Sequence, residues 1–147
     1  MYAVDTPGLN EGKEADRKHL NGLVDFFKIE VKELNLFLIL INSSEPRMTK
    51  PLVDALSKYE QNLTANFWKN VSIVFTRWGA SPHAEKTRKA QGGVTKEMRK
   101  SEFMKFMEDN FPGRDTSHMK FYWTELIDLG EDYDKTSSTL EEIWQDA

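Results

Sequence analysis

Apolar positions along this chain follow two rhythms, and the two alternate. Leu20, Leu23, Val24, Phe27, Val31 and Leu34 recur at roughly helical spacing, which predicts an amphipathic helix from Glu11 to about Glu33. The next run, Leu36 to Ile41, is continuously apolar, as expected of a strand covered on both faces in a parallel sheet. Leu52, Leu56, Tyr59 and Leu63 then form the inner face of a second helix. That helix begins near Pro51, where a missing N–H costs nothing, with Thr49 as its cap. Val71 to Phe75 reads as a strand. Residues Ala80 to Gly93 are polar, contain Pro82 and the pair Gly92-Gly93, and predict a loop or irregular insertion. A helix follows from Lys96 to Asn110, capped by Thr95, burying Met98, Phe103, Phe106 and Met107, and stopped by Pro112-Gly113. Lys120 to Trp123 is a short strand, and Ser138 caps a last helix carrying Leu140, Ile143 and Trp144. With Tyr2-Ala3-Val4 as an opening strand, the order is β-α-β-α-β-loop-α-β-α. Strands joined by helical crossovers imply an α/β fold with a mostly parallel sheet and helices on both faces.

Composition narrows the chemistry. The 147 residues suit one domain with a real core. With a net charge of −4, a nucleic-acid role has no electrostatic support. There is no cysteine, which excludes a disulfide framework, a thiolate zinc site and a cysteine nucleophile. The absence of a signal-peptide pattern and of a long apolar run predicts a cytoplasmic protein. His19, His83 and His118 lack metal-ligand spacing, and the acidic stretch Asp128 to Asp134 lacks the rhythm of a calcium loop. Both read as solvated side chains, as does the basic stretch Lys86 to Lys100.

One motif carries chemistry. Asp5, Thr6, Pro7 and Gly8 follow the opening strand directly. A D-x-x-G tetrad arises by chance about once in every two chains of this length, so its context carries the signal. At a strand's C-terminal end, where open α/β sheets bind ligands, the Asp can hold a Mg²⁺-bound water. The Gly lets the backbone approach a terminal phosphate. The matching phosphate loop, G-x-x-x-x-G-K-[ST], occurs nowhere in the 147 residues. The chain starts four residues before Asp5, so the loop is expected upstream of it. Thr76-Arg77-Trp78-Gly79 follows the strand Val71–Phe75, where GTPases carry [NT]-K-x-D. Thr76 and Arg77 fit its first two places, and Trp78 has the spacing to stack on a base. Gly79 stands where the guanine-reading Asp belongs, so an Asp introduced there is expected to raise guanine preference. Trp123-Thr124-Glu125 follows the last strand, where a GTPase lays a loop against the base, although [SC]-A-[KL] is missing. Leu9 stands where many GTPases place a water-orienting Gln, so no residue is assigned a catalytic role.

Together, Val4-Asp5-Thr6-Pro7-Gly8-Leu9, the run Leu36–Ile41, Arg47-Met48-Thr49, Phe67-Trp68 and Ile73-Val74-Phe75-Thr76-Arg77 resemble one family. It is that of the immune-associated nucleotide-binding (GIMAP/IAN, avirulence-induced-gene-type) GTPases, septin-like relatives of the chloroplast outer-envelope import GTPases. The similarity covers roughly residues 2–80; beyond that only the order of elements agrees. The resemblance implies that residues 1–147 are a partial G domain from the second switch onward. Its fold would be P-loop NTPase-like, a three-layer α/β/α sandwich lacking the first strands and the phosphate loop. It implies GTP and Mg²⁺ as ligands, with Asp5 on the metal's water shell and Gly8 donating to the γ-phosphate. Thr76 and Arg77 would flank the base, with Trp78 and Trp123 beside it. Without the phosphate loop, binding by this chain alone is expected to be weak or nil.

The family's nucleotide-dependent oligomers imply self-association or pairing with a related GTPase, and peripheral membrane association through partners. In such folds the strand leading into the phosphate loop lies between the strand ending at Asp5 and Leu36–Ile41. Its absence leaves sticky sheet edges, so the chain alone is expected to be marginally stable or to self-associate. The alternative is a non-catalytic interaction module, a pseudo-GTPase acting through dimerisation. An incomplete chain of an ordinary GTPase, and an unrelated α/β enzyme with a chance D-T-P-G, are further readings.

Overall fold

The computed structural model describes residues 13–30, 35–44, 48–63, 67–79, 81–90, 92–125, 139 and 141–145. The opening strand and the D-T-P-G turn fall outside these residues. The chain divides into two compact units, Met1–Leu34 with Met48–Phe67, and Asn35–Arg47 with Trp68–Ala147.

The first unit contains helices α1 (Lys13–Glu30) and α2 (Lys50–Asn62). Leu23, Val24 and Phe27 of α1 are buried, as are Ala55, Leu56 and Tyr59 of α2. Both sets follow the i, i+3, i+4 stripe that gives a helix one apolar face. Two lysines link the helices: Lys28 Nζ donates to Asn62 Oδ1 at 2.9 Å, and Lys58 Nζ to Asn21 Oδ1 at 2.9 Å. Thr49 occupies the N-cap position of α2 with extended backbone, but its side chain makes no capping hydrogen bond. Pro51 in the first turn supplies the start signal instead.

Burial pushes the Tyr59 hydroxyl up to about 12, because tyrosinate would lose its hydration. A group whose pKa is raised by folding leaves stability intact below its unfolded value near 10 and reduces it as pH climbs towards 12. Stability is therefore expected to fall by about 1.4 kcal/mol between pH 9 and pH 11 through this residue. Tyr59→Phe should remove that component of the alkaline loss. Urea melts of both proteins across this range check it, and parallel pH curves would contradict the assignment.

The second unit is built on a three-stranded, all-parallel sheet in the order β1-β2-β3. Its strands are β1 (Phe37–Asn42), β2 (Val71–Thr76) and β3 (Lys120–Trp123). Phe37 pairs with Val71 and Asn42 with Thr76, while Ser72 pairs with Lys120 and Phe75 with Trp123. Because strand side chains alternate, this register puts Ile39, Ile73, Phe75, Phe121 and Trp123 on one face and Leu38, Val74 and Tyr122 on the other. The central strand β2 is buried from Val71 through Phe75, the polar Ser72 included, as a strand covered on both faces requires.

Helices α3 (Pro82–Ala90) and α4 (Lys96–Asn110) lie between β2 and β3 in sequence. Phe103 of α4 meets Phe121 edge-on, with centroids 6.1 Å apart, on the aromatic face of the sheet. Phe106, Phe111 and Trp68 extend that layer. On the opposite face, Ile143 from the helical residues 141–145 joins Val74 and Tyr122, with Leu36 and Leu38 packed against them. Helical residues thus pack on each face of this sheet, Phe103 on one and Ile143 on the other.

Two expectations need correction. The span Ala80–Gly93 holds α3, a nine-residue helix with no buried residue, which a hydrophobic-period reading cannot detect. Its signals are local. Ser81 Oγ accepts from the Ala84 N–H at 3.2 Å, Pro82 opens the first turn, and Lys89 pairs with Glu85 one turn apart. Met98 is 45% exposed, so it does not belong to the core. In α4 the inward stripe is Phe103, Phe106 and Met107, and Met98 lies off it in the first turn, just after the Thr95 cap. Thr95 does cap that helix, its Oγ1 accepting from the Met98 N–H at 3.2 Å.

Candidate functional site

The C-terminal ends of parallel strands point their chain exits to the same side, and here the three exits are tied together. Ser43 N–H, just past β1, donates to Thr76 O at 3.0 Å. Thr76 Oγ1 lies 3.4 Å from Ile41 O. Thr124 N–H, just past β3, donates to Phe75 O at 3.0 Å, and Trp78 N–H donates to Thr124 O at 3.1 Å. The loop Thr76–Gly79 is therefore stitched to both neighbouring strand ends. Its turn is made at Arg77, whose φ of 57° lies in the left-handed region. That conformation is uncommon outside glycine and costs on the order of 1 kcal/mol, a local strain that recurs at ligand-binding turns.

Two aromatic residues expected beside a base have different surroundings. Trp78 is buried, and the Arg88 guanidinium sits over its ring, 4.4 Å from the centroid. Arg88 also donates to the Gly79 carbonyl. A base stacking on that face of Trp78 would have to displace Arg88. Trp123 is half-buried, stacks on Phe75 with centroids 5.9 Å apart, and carries Lys96 Nζ 4.8 Å from its centroid. Its carbonyl accepts from Thr139 Oγ1 at 3.3 Å, and its indole Nε1 is buried without a hydrogen-bond partner. Thr76, Arg77, Trp78 and Trp123 thus meet at one sheet edge. Asp5, Thr6, Pro7 and Gly8 lie outside the described residues. Among the described residues, no three carboxylates or histidines gather into a cation cage.

The surroundings of Gly79 correct the expectation for an Asp there. A Cβ built on Gly79 would lie 2.5 Å from the Ala84 Cβ, and 3.0 and 3.3 Å from the two carboxylate oxygens of Glu125. The side-chain space of position 79 is occupied, on one side by α3 and on the other by an existing carboxylate. An Asp would collide with the first and repel the second, so improved guanine preference is not its expected result.

Two residues of this edge take their place there only through the fold. Arg88 was hidden because α3 has no apolar stripe. Glu125 reads as one polar loop residue among several; the available signal was an acid just past β3, alongside a Gly where a carboxylate belongs. No helix among the described residues is long and apolar enough to cross a membrane. Comparisons of the chain with protein-family models, with curated proteins and with solved structures found no match.

Proposed function

We propose that this chain is a GTP-binding protein of the septin-like GTPase class and that β1, β2 and β3 carry the base side of its site. The reading extends the parallel sheet to a P-loop NTPase-like, three-layer fold. The observation that supports it best is the docking of Thr76–Gly79 onto Thr124, through Trp78 N–H and Thr124 O at the ends of adjacent parallel strands. In the G domains this chain resembles, the loops at these two strand ends border the guanine. Thr76 and the aliphatic stem of Arg77 would flank the base, with Trp123 behind it. The oxygen donor Asp5 suits a hard cation such as Mg²⁺, and Gly8 would reach the γ-phosphate. Phosphate loops supply most of the affinity through backbone N–H groups and a Lys, and the sequence contains none. Weak binding and no hydrolysis follow for these 147 residues.

Titration of the ¹⁵N-labelled protein with Mg²⁺-GTP is expected to give a dissociation constant in the millimolar range. Shifts should concentrate at residues 76–79 and 124–125. Micromolar affinity would contradict the role assigned to the phosphate loop, and unperturbed strand-end loops would contradict the site. The pseudo-GTPase reading, a cytoplasmic module that pairs with itself or a related GTPase, draws support from Leu40 of β1. That side chain is 60% exposed on the face otherwise closed by Tyr122 and Ile143. A complex that forms regardless of nucleotide and survives Asp5→Ala would favour it.

A further inference from the structure

Helix α3 has no buried residue, so apolar burial does not hold it to the sheet. It is fastened instead to the loop after β2. The Arg88 guanidinium lies over the Trp78 ring, 4.4 Å from the centroid, and donates to the Gly79 carbonyl. Ala84 rests against the bare backbone of Gly79. Its other side-chain contacts among the described residues are local, the Ser81 cap and the Lys89–Glu85 pair. Both partners of Arg88 are uncharged, and such partners hold a guanidinium less tightly than a carboxylate does. Beyond α3 the chain passes through Gly92 and Gly93, with φ of 107° and 68°. Apart from chain neighbours, no atom stands within 4 Å of where either would carry a Cβ. Successive glycines in open space can absorb a large change in φ and ψ. The helix is therefore latched at one side chain and able to turn at one end.

We infer that Arg88 is an autoinhibitory latch, holding α3 closed over Trp78. The ring it covers is only 8% exposed and lies at the C-terminal edge of a parallel sheet, where open α/β sheets take up ligands. The guanidinium occupies a ring face on which a flat ligand would stack. The helix must swing aside on Gly92-Gly93 before a purine can take that face. That the ligand is a purine rests on the nucleotide reading of the strand ends; the latch itself does not. Closure and stacking exclude one another, so apparent affinity is reduced to the fraction of molecules that are open. Releasing the latch therefore raises affinity without adding any contact to the ligand.

The test compares the full chain with Arg88→Ala and with Arg88→Lys, which keeps a cation for the ring. Alanine is the better helix former, so any loosening of α3 in Arg88→Ala comes from the lost latch. Native-state hydrogen exchange is expected to quicken roughly tenfold at the amides of residues 85–90, the worth of one cation–ring contact with its hydrogen bond. Amides of β2 should keep their rates, and Arg88→Lys should show a smaller rise. The ligand probe is caffeine, a purine with neither charge nor phosphate, so loss of the Arg88 charge cannot alter its attraction to the site. In ¹⁵N-tryptophan protein, caffeine should move the Trp78 indole signal of Arg88→Ala at concentrations roughly tenfold lower than in the wild type. The Trp68 signal, at the opposite end of β2, should stay in place. Unchanged exchange in α3 overturns the latch and leaves the nucleotide reading standing. Equal acceleration of α3 and β2 overturns it as well, since the contact would then support the whole unit. Equal caffeine affinity in both proteins overturns autoinhibition. If caffeine moves Trp78 in neither, the ring is no stacking platform, and autoinhibition falls together with the part of the nucleotide reading that uses Trp78.

Discussion

Phe103→Ala is expected to destabilise the second unit by about 3–5 kcal/mol, a large share of the margin of a typical domain. Phe103 is fully buried, with its ring 5.7 Å from Phe106 and 6.1 Å from Phe121. Phe121 in turn packs against both Phe75, at 6.5 Å, and Trp123, at 6.4 Å. Truncation removes the only phenylalanine ring of α4 that directly faces Phe121 among the described contacts, and aromatic walls held by strand and helix backbone cannot collapse into the gap. The loss combines transfer free energy with a cavity term. Phe103→Leu keeps most of the volume and should cost about half as much. Denaturant melts followed by tryptophan fluorescence provide the check. A loss below about 1 kcal/mol for the alanine variant would mean that α4 does not close this face of the sheet.

Gly79→Ala is expected to cost about 2–3 kcal/mol, although it adds a single methyl group. The new Cβ would stand 2.5 Å from the Ala84 Cβ, which is fixed to the first turn of α3. The Glu125 carboxylate at 3.0 Å can swing aside, but the helix must move as a body. That movement would disturb the Arg88 contacts with Trp78 and the Gly79 carbonyl. Removing the opposing methyl as well, in Gly79→Ala/Ala84→Gly, should recover more than half of the loss. The cycle should give a coupling of at least about 1 kcal/mol between the two positions. Additive single effects would show that the strain lies elsewhere. Thermal melts and the indole shift of Trp78 report stability and local geometry together.

Much of the fold is legible in the chain because it depends on near neighbours. The apolar run from Leu36 onward and the run Val71–Phe75 both become strands of a parallel sheet, but only the central one is buried throughout, since β1 leaves Leu40 exposed on one face. Thr95 caps α4 because its hydroxyl is two or three residues from the orphan N–H groups it can reach. Gly113, with φ of 76°, ends the segment after α4 in a conformation that few other residues adopt. The failures are also local in origin. α3 is held by a cap, a proline and an ion pair, and offers no apolar period. Thr49 is the right residue type in the right place, yet its hydroxyl makes no capping bond, since composition fixes a capacity and not a geometry.

The candidate site divides along the same line. Residue order alone put Thr76 and Arg77 at the end of one strand and Trp123 at the end of another, since strand ends follow from where apolar runs stop. It also marked Gly79 as the place of a missing carboxylate. That the carboxylate of Glu125 lies against Gly79, 46 positions back along the chain, was decided by the register that sets Phe75 beside Trp123. The covering of Trp78 by Arg88 was decided by the docking of a helix without an apolar face. Propensity, capping and periodicity act over a few residues and can be read in one dimension. Which side chain occupies another's vacant space depends on how strands align and where helices dock, and those are properties of the packed chain.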